Sequence, residues 1–468
     1  MAEFGSWTPD LPEFGHTGLV TAKNVYPGQL GYEPLRELVA VTGALPELWR
    51  GGSAFDDLVG GNVLVAGTNA GLYSYASGAW TLEHATVTTQ KWFFVQFGNN
   101  IIGVNGGAPV KFVMSTSTGG TLGGSPPTSS MAAIVRDQIF LAGNPAKLNA
   151  VRWCDVNNSE VWTIGTGQAD EQLIPDGGDV TGLAGGEYAV VFQKSGINVF
   201  EYVGTPLIYT RRKVSDSIGC VTHGSIAQAG KMVFFYSNRG FYLFNDGELI
   251  PIGEGKVDRT FANSYSTLTI EANITAAIDP NLKVVTWAMP DRLLHYNWAA
   301  DKWSETSLSG ITAITSGRTG YITLGDLAAL YPGGNDTVPF GTDDPLFQGG
   351  DPTLFVVKTD TLNAFGGTNY LPANIRTAKM EPFTGLDAHV RGVRIIGDVG
   401  DGVTVHVDCA ARLNDNMTRV STSDLRANGD LPVLARGRFI QHEIATTEDM
   451  SWRYIIGLDV EGTPGGRL

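Results

Sequence analysis

The chain has 468 residues, 43% of them hydrophobic and only 17% charged, with a formal net charge of −15; this length accommodates two or three domains or one large closed array of strands. No run of 18 or more apolar residues is available to cross a bilayer as a helix, and the acidic balance argues against a surface built to grip nucleic-acid phosphates. Sixty glycines favour strands joined by tight turns over helices, in which glycine is costly, so the composition predicts an all-β fold.

The N-terminus, Met1-Ala2-Glu3-Phe4-Gly5, carries an acid where a signal peptide carries bases, and it leads into no apolar stretch of a signal peptide's length. Three widely spaced cysteines, Cys154, Cys220 and Cys409, form no C-x-x-C pair, so neither a disulfide framework nor a zinc knuckle is expected, and synthesis in a reducing cytoplasm is. Residues 1–40 contain no recurring unit and read as an arm that packs on another part of the protein.

From 41 to 345 one unit recurs: an apolar strand, a glycine-containing turn, then an alternating strand with an aromatic residue. Its clearest copies are Val63-Leu64-Val65-Ala66 with Gly71-Leu72-Tyr73, Tyr188-Ala189-Val190-Val191-Phe192 with Gly196-Ile197-Asn198, and Met232-Val233-Phe234-Phe235-Tyr236 with Gly240-Phe241-Tyr242. Taking Gly71, Gly107, Lys147, Gly196, Gly240, Arg292 and Leu327 as equivalent points gives intervals of 35 to 52 residues, averaging about 43, the length of a four-stranded propeller blade. The expectation is a β-propeller of about seven blades, with the seventh centred on Leu327 to Tyr331.

Beyond Tyr331 a turn-rich stretch from Pro332 to Pro352 reads as a boundary. Alternation returns in His389–Ile396, Val403–Val407, Gly437–Ile444 and Trp452–Val460, which predicts a C-terminal β-sandwich-like domain over 346–468, including its linker.

Residues that could carry chemistry do not assemble into a motif. Gly253-Glu254-Gly255-Lys256 is followed by Val257, where a phosphate loop needs Ser or Thr. Cys220 and His223 stand three apart, but a buried Cys beside a surface His is the simpler reading than a nucleophile with its base. Acids are plentiful, among them Asp155, Glu160, Asp176, Asp258, Asp279 and Asp291, yet nothing in the sequence shows that any two converge as a glycosidase pair. Asp336, Asp343, Asp344 and Asp351 lack calcium-loop spacing and read as a solvated acidic loop. His389 and His406 alternate with apolar residues as half-buried strand positions do. No catalytic, cofactor-binding or metal-binding residue is therefore nominated.

Several stretches resemble a known family. Asn24-Val25-Tyr26-Pro27-Gly28 with Gly31-Tyr32-Glu33-Pro34-Leu35, the segment from Val161 through Tyr188, Gly219-Cys220-Val221-Thr222-His223-Gly224-Ser225, Phe235 to Tyr242, and Pro251 to Phe261 resemble, in the same order, tail hubs of short-tailed bacteriophages, also called nozzles or packaged-DNA stabilisation proteins. The matches cover about a quarter of the chain. The resemblance implies a non-enzymatic virion protein, made in the host cytoplasm. It implies a homohexameric ring below the portal and adaptor proteins, which closes or extends the DNA channel and holds tail fibres, spikes or a needle. Genomic DNA would pass without specific binding during ejection, and no cofactor or membrane span is implied. The alternative is a glycan-binding, receptor-recognising propeller using Trp80, Trp92, Trp303 or Trp452 as platforms; a glycan-cleaving enzyme comes after it.

Overall fold

The computed structural model describes residues 2–57, 61–318, 331, 334, 338, 352–400, 402–426, 429–448 and 450–466. Six groups of four antiparallel strands succeed one another along the chain, and a seventh group closes the ring. We number them blades 1 to 6 over 49–85, 93–121, 131–173, 180–215, 227–251 and 275–307, with blade 7 completing the set. The first strand of each blade contacts the first strand of the next around most of the ring, including blade 7 against blade 1. Blades 4 and 5 join through a shared core containing Val190, Phe192, Val233 and Phe235. The protein is a seven-bladed β-propeller carrying a second, sandwiched pair of sheets.

The repeating unit is the second and third strand of each blade. Gly71, Lys147, Gly240 and Arg292 open third strands, and Gly107 and Gly196 lie just ahead of theirs. These strands are legible because both faces are covered: Val284–Met289 is buried at every position and Tyr188–Gln193 at all but its first, so they form continuous apolar runs. Outer strands such as Ala79–Ala85 are mostly exposed. Close packing between blades also selects glycine. The indole of Trp92 stacks on Phe94 with ring centroids 5.6 Å apart and donates to the Thr68 carbonyl at 2.9 Å. Any Cβ on Gly67 would run into that indole.

Blade 7 corrects the sequence reading. Its strands are Ile311–Arg318, Pro352–Lys358, Thr361–Tyr370 and, from the N-terminal segment, Arg36–Ala40. Leu327, the expected anchor, lies outside the described residues. The sheet therefore runs past the expected boundary at 345 and takes its last strand from the expected arm of residues 1–40. Residues 319–351 separate the first two strands in sequence, which hides the repeat, and the fourth strand lies more than 300 positions away in the chain. Such a closure holds both ends of the ring in one sheet, with Ala364 paired to Val39 and Phe365 to Leu38.

The C-terminal strands form two sheets completed by the arm. Ala388–Val399, Leu431–Gly437 and Trp452–Pro464 make one sheet, with Val25–Pro27 and Tyr32–Pro34 added at its side. Asn374–Thr377, Phe439–Ala445, Thr404–Ala410 and Thr418–Asp424 make the other. Between this second sheet and blade 6 runs Leu19–Lys23, antiparallel to Asn374–Thr377 and parallel to the last strand of blade 6, where Lys23 meets Glu305. One continuous nine-stranded sheet thus links propeller and sandwich. The two faces share a core in which Val390, Val393, Ile455 and Leu458 pack with Val405, Val407, Ile440 and Ile444.

Candidate functional site: the central cavity and the arm junction

At the leading ends of the first strands lies a cavity of about 770 Å³, to which every blade or the residues leading into it contribute: Gly51, Phe93, Met131, Thr181, Ile226 just before blade 5, Ala276 and Ile314 line it. Side chains bridge the propeller axis there. The Phe93 ring meets the edge of His223, with centroids 4.4 Å apart. Lys91, just before blade 2, extends its ammonium to the Ile274 carbonyl at 3.0 Å, just before blade 6. Burial pulls this ammonium down to about 8.

The charge of the lining opposes that of the whole chain. Arg50, Lys91 and Lys194 are cationic, and Glu271 is the one carboxylate among the described residues lining the cavity. Lys194 is paired with Asp179 at 2.6 Å. Arg50 and Lys91 have no carboxylate partner among the described residues, and Arg50 Nε is buried without a hydrogen bond. Facing carboxylates of the kind glycosidases use across a pocket are not assembled here by the described residues.

The Cys220–His223 spacing resolves into separate environments. Cys220 Sγ donates to the Thr222 carbonyl at 3.2 Å, and burial pushes the thiol up to about 12. His223 is not the expected surface residue but lines the cavity. Its Nδ1 accepts the Leu183 N–H at 3.3 Å, and the surrounding atoms push the imidazole down to about 4. Cys154 and Cys409 are also buried, each thiol pushed up to about 11. Thiol reagents act on the thiolate. At pH 7.5 the native protein should react with none of a maleimide's equivalents within minutes and with all three cysteines once denatured in guanidinium, as mass spectrometry would show. Rapid native labelling of Cys220 would contradict the buried geometry.

The remaining acids are structural and dispersed. Asp155 accepts the backbone N–H groups of Val156 and Gln168 at 2.9 and 2.7 Å. Glu160 pairs with Lys111, and Asp176 with Arg211 and Lys213. Asp279 caps a turn through Asn281 and Leu282, and Asp291 accepts the Tyr265 hydroxyl. Asp336, Asp343, Asp344 and Asp351 lie outside the described residues. Among the described residues no group of three His, Cys, Asp or Glu side chains could hold a metal ion, and no helix is long and apolar enough to cross a membrane. Trp92, Trp303 and Trp452 are buried, while Trp80 is half-buried with its indole N–H donating to Gly43. His389 and His406 are half-buried.

The phrase from Pro251 to Phe261 builds a second polar cluster. Helix α1, Asp258–Ser264, begins where Asp10 of the arm accepts the N–H groups of Arg259 and Thr260, both at 2.7 Å. A carboxylate there satisfies helix-terminal donors that otherwise lack partners. Asp258 fits between Gly240 and Gly253, where any Cβ would overlap its carboxylate, and accepts the Phe241 N–H at 2.9 Å. Gly240 also has φ +122°, open to glycine and strained for other residues. Burial first, then the nearby Asp10 and Glu254 charges, push Asp258 up to about 7 against the Phe241 hydrogen bond.

A carboxyl raised in the folded state favours folding most when protonated in both states. Its contribution is full below the ordinary Asp range and is lost as pH rises to about 7. Asp258→Asn, which keeps an acceptor for Phe241, should therefore be more stable than the parent at pH 8 by about 1 kcal/mol or more. It should also show a flatter stability profile between pH 4 and 7 in urea melts. An equal loss of stability at pH 5 and pH 8 would contradict a strained carboxylate at this position.

No family model and no curated protein matches the chain. Among solved structures, the extracellular domain of a hybrid two component system of B. thetaiotaomicron is similar, with a TM-score of 0.44 and 10% identity over 78% of this chain and 43% of that one. The chain thus spans less than half the length of that structure. Virginiamycin B lyase from Staphylococcus aureus is similar with a TM-score of 0.44 and 7% identity, over 70% of this chain and 99% of that one. BamB from Moraxella catarrhalis is similar with a TM-score of 0.36 and 13% identity, over 73% of this chain and 96% of that one.

Proposed function

We propose that this protein is a structural subunit of a short-tailed phage tail hub or nozzle, assembling as a homohexameric ring below the portal and adaptor and carrying fibres, spikes or a needle. The reading starts from the family resemblance. The observation that carries it further is the way the N-terminal arm ties the two halves together. Its strand Leu19–Lys23 sits inside the sheet that spans blade 6 and the sandwich, its strand Arg36–Ala40 closes blade 7, and its Asp10 caps α1. A ring that holds DNA under pressure requires subunits that transmit load without domain motion, and a shared sheet meets that requirement better than a flexible linker.

Three of the family-like stretches, Asn24–Gly28, Gly31–Leu35 and Pro251–Phe261, serve this junction. Tyr32 donates to the carbonyls of Gly5 at 2.9 Å and Trp303 at 3.2 Å, and Lys256 pairs with Asp301 at 2.5 Å. In this reading DNA runs between subunits and not through a propeller, because Lys91, Phe93 and His223 bridge the propeller axis. Light scattering and negative-stain imaging of the purified protein, alone and with virion proteins, test the proposal. A hexameric ring, or incorporation at a tail vertex, is expected. A monomer that joins no particle would overturn it and bring the glycan-binding alternative forward.

A further inference from the structure

The central cavity presents a chemistry that the hub role leaves unused. We propose that it is a binding site for a small polyhydroxylated anion, a sugar of one or two rings bearing a carboxylate or phosphate, with Arg50 and Lys91 holding the anionic group. This inference stands apart from the hub reading and does not depend on it.

Size, charge and lining point to the same ligand. About 770 Å³ is within the range of small-molecule pockets and is far too small for a duplex. In a chain with a net charge of −15, the lining gathers three cationic side chains against one carboxylate. Ion pairing within the protein accounts for Lys194, through Asp179. It does not account for Arg50 or Lys91. The Lys91 ammonium meets a carbonyl only, and Arg50 Nε is buried without any partner among the described residues.

Buried donors and cations without a counter-charge are costly, and an anion entering between them would supply that counter-charge. A guanidinium and an ammonium arriving from different blades suit the several oxygens of a carboxylate or phosphate. Around them Ser53, Thr89, Thr222 and Thr312 contribute hydroxyls that accept or donate to sugar hydroxyls. The two tryptophans of the lining, Trp49 and Trp92, do not serve as stacking platforms, since each is only 2% exposed, and the half-buried rings of Phe93 and Phe94 are already packed against His223 and Trp92. Recognition therefore rests on charge and hydrogen bonds.

Isothermal titration of the full chain with glucuronate, glucose 6-phosphate and glucose tests this. The two anions should bind saturably and glucose at least about tenfold more weakly; which anion binds tighter identifies the acid group preferred. Arg50→Gln and Lys91→Met should each weaken anion binding by about tenfold or more, with Lys231→Met, on the turn between the first two strands of blade 5, as the control.

Raising the pH from 7 to 9.5 should weaken binding to the parent and leave Lys91→Met unaffected. The charged groups facing Lys91 are Arg50, Lys194, Glu271 and His223. His223 is neutral throughout that range, and Asp179 holds Lys194 in its charged form. Lys91→Met also removes the tie to Ile274, so Arg50→Gln, whose guanidinium makes no hydrogen bond to the described protein, keeps the test independent of folding. Equal affinity for glucose and the anions, or anion binding unchanged in both variants, would overturn the proposal. So would the absence of saturable binding by either anion at millimolar concentration.

Discussion

Trp303→Ala is expected to lower the unfolding free energy by about 3–5 kcal/mol, measured by urea titration at neutral pH. Trp303 is fully buried, stacks on Trp287 with centroids 5.6 Å apart, and contacts Phe241 and Tyr296 at 5.2 and 4.8 Å. Its indole N–H donates to the Ile252 carbonyl at 3.0 Å, which truncation would leave buried and unpaired. Its backbone also receives the arm: the Trp303 N–H donates to Ser6 Oγ at 3.0 Å, and its carbonyl accepts from Trp7 and Tyr32. A cavity at this point should loosen the arm as well as blade 6. Amide exchange would then rise in residues 5–8 together with 302–306. A loss under about 1 kcal/mol, or exchange confined to blade 6, would show that the arm is held elsewhere.

Deleting residues 1–40 should abolish cooperative folding. The deletion removes the outer strand of blade 7, the strand between blade 6 and the sandwich, and three strands of the other sandwich sheet. With it go the buried side chains of Phe4, Trp7, Leu19, Ala22, Val25, Tyr32 and Val39. Each large truncation of this kind costs about 2–5 kcal/mol, and their sum exceeds the roughly 5–15 kcal/mol by which a domain is stable. The exposed edge of Thr361–Tyr370, left without its partner, would promote aggregation. Soluble yield and the sharpness of the far-ultraviolet melt decide the matter. A soluble protein that melts cooperatively within a few degrees of the full chain would show that residues 1–40 are an appendage after all.

Much of this architecture was readable from local pattern. Tyr188–Gln193, Met232–Ser237 and Val284–Met289 are covered on both faces by neighbouring blades, so burial writes itself into the sequence as uninterrupted apolar runs. The turns that follow them repeat at the spacing of a blade. The C-terminal strands were legible for the complementary reason: Leu431–Gly437 alternates buried and less buried positions because one face packs and the other meets solvent.

Local pattern also explains why the sequence places His223 at the surface and is silent about the acids. A short separation in sequence says nothing about direction. The Cys220 thiol turns to the Thr222 carbonyl while the imidazole of His223 faces Phe93.

The sequence by itself determined the all-β class, the blade-length period and the strands of the sandwich, because each is set by how neighbouring residues are buried. Only the tertiary structure decided where the ring closes and what its centre holds. Blade 7 is completed by Arg36–Ala40 across more than 300 positions of chain, and Arg50, Lys91, Lys194 and Glu271 meet in one cavity from four separate stretches. Pairings of that separation follow from closure of the whole ring and leave no periodic trace along the chain.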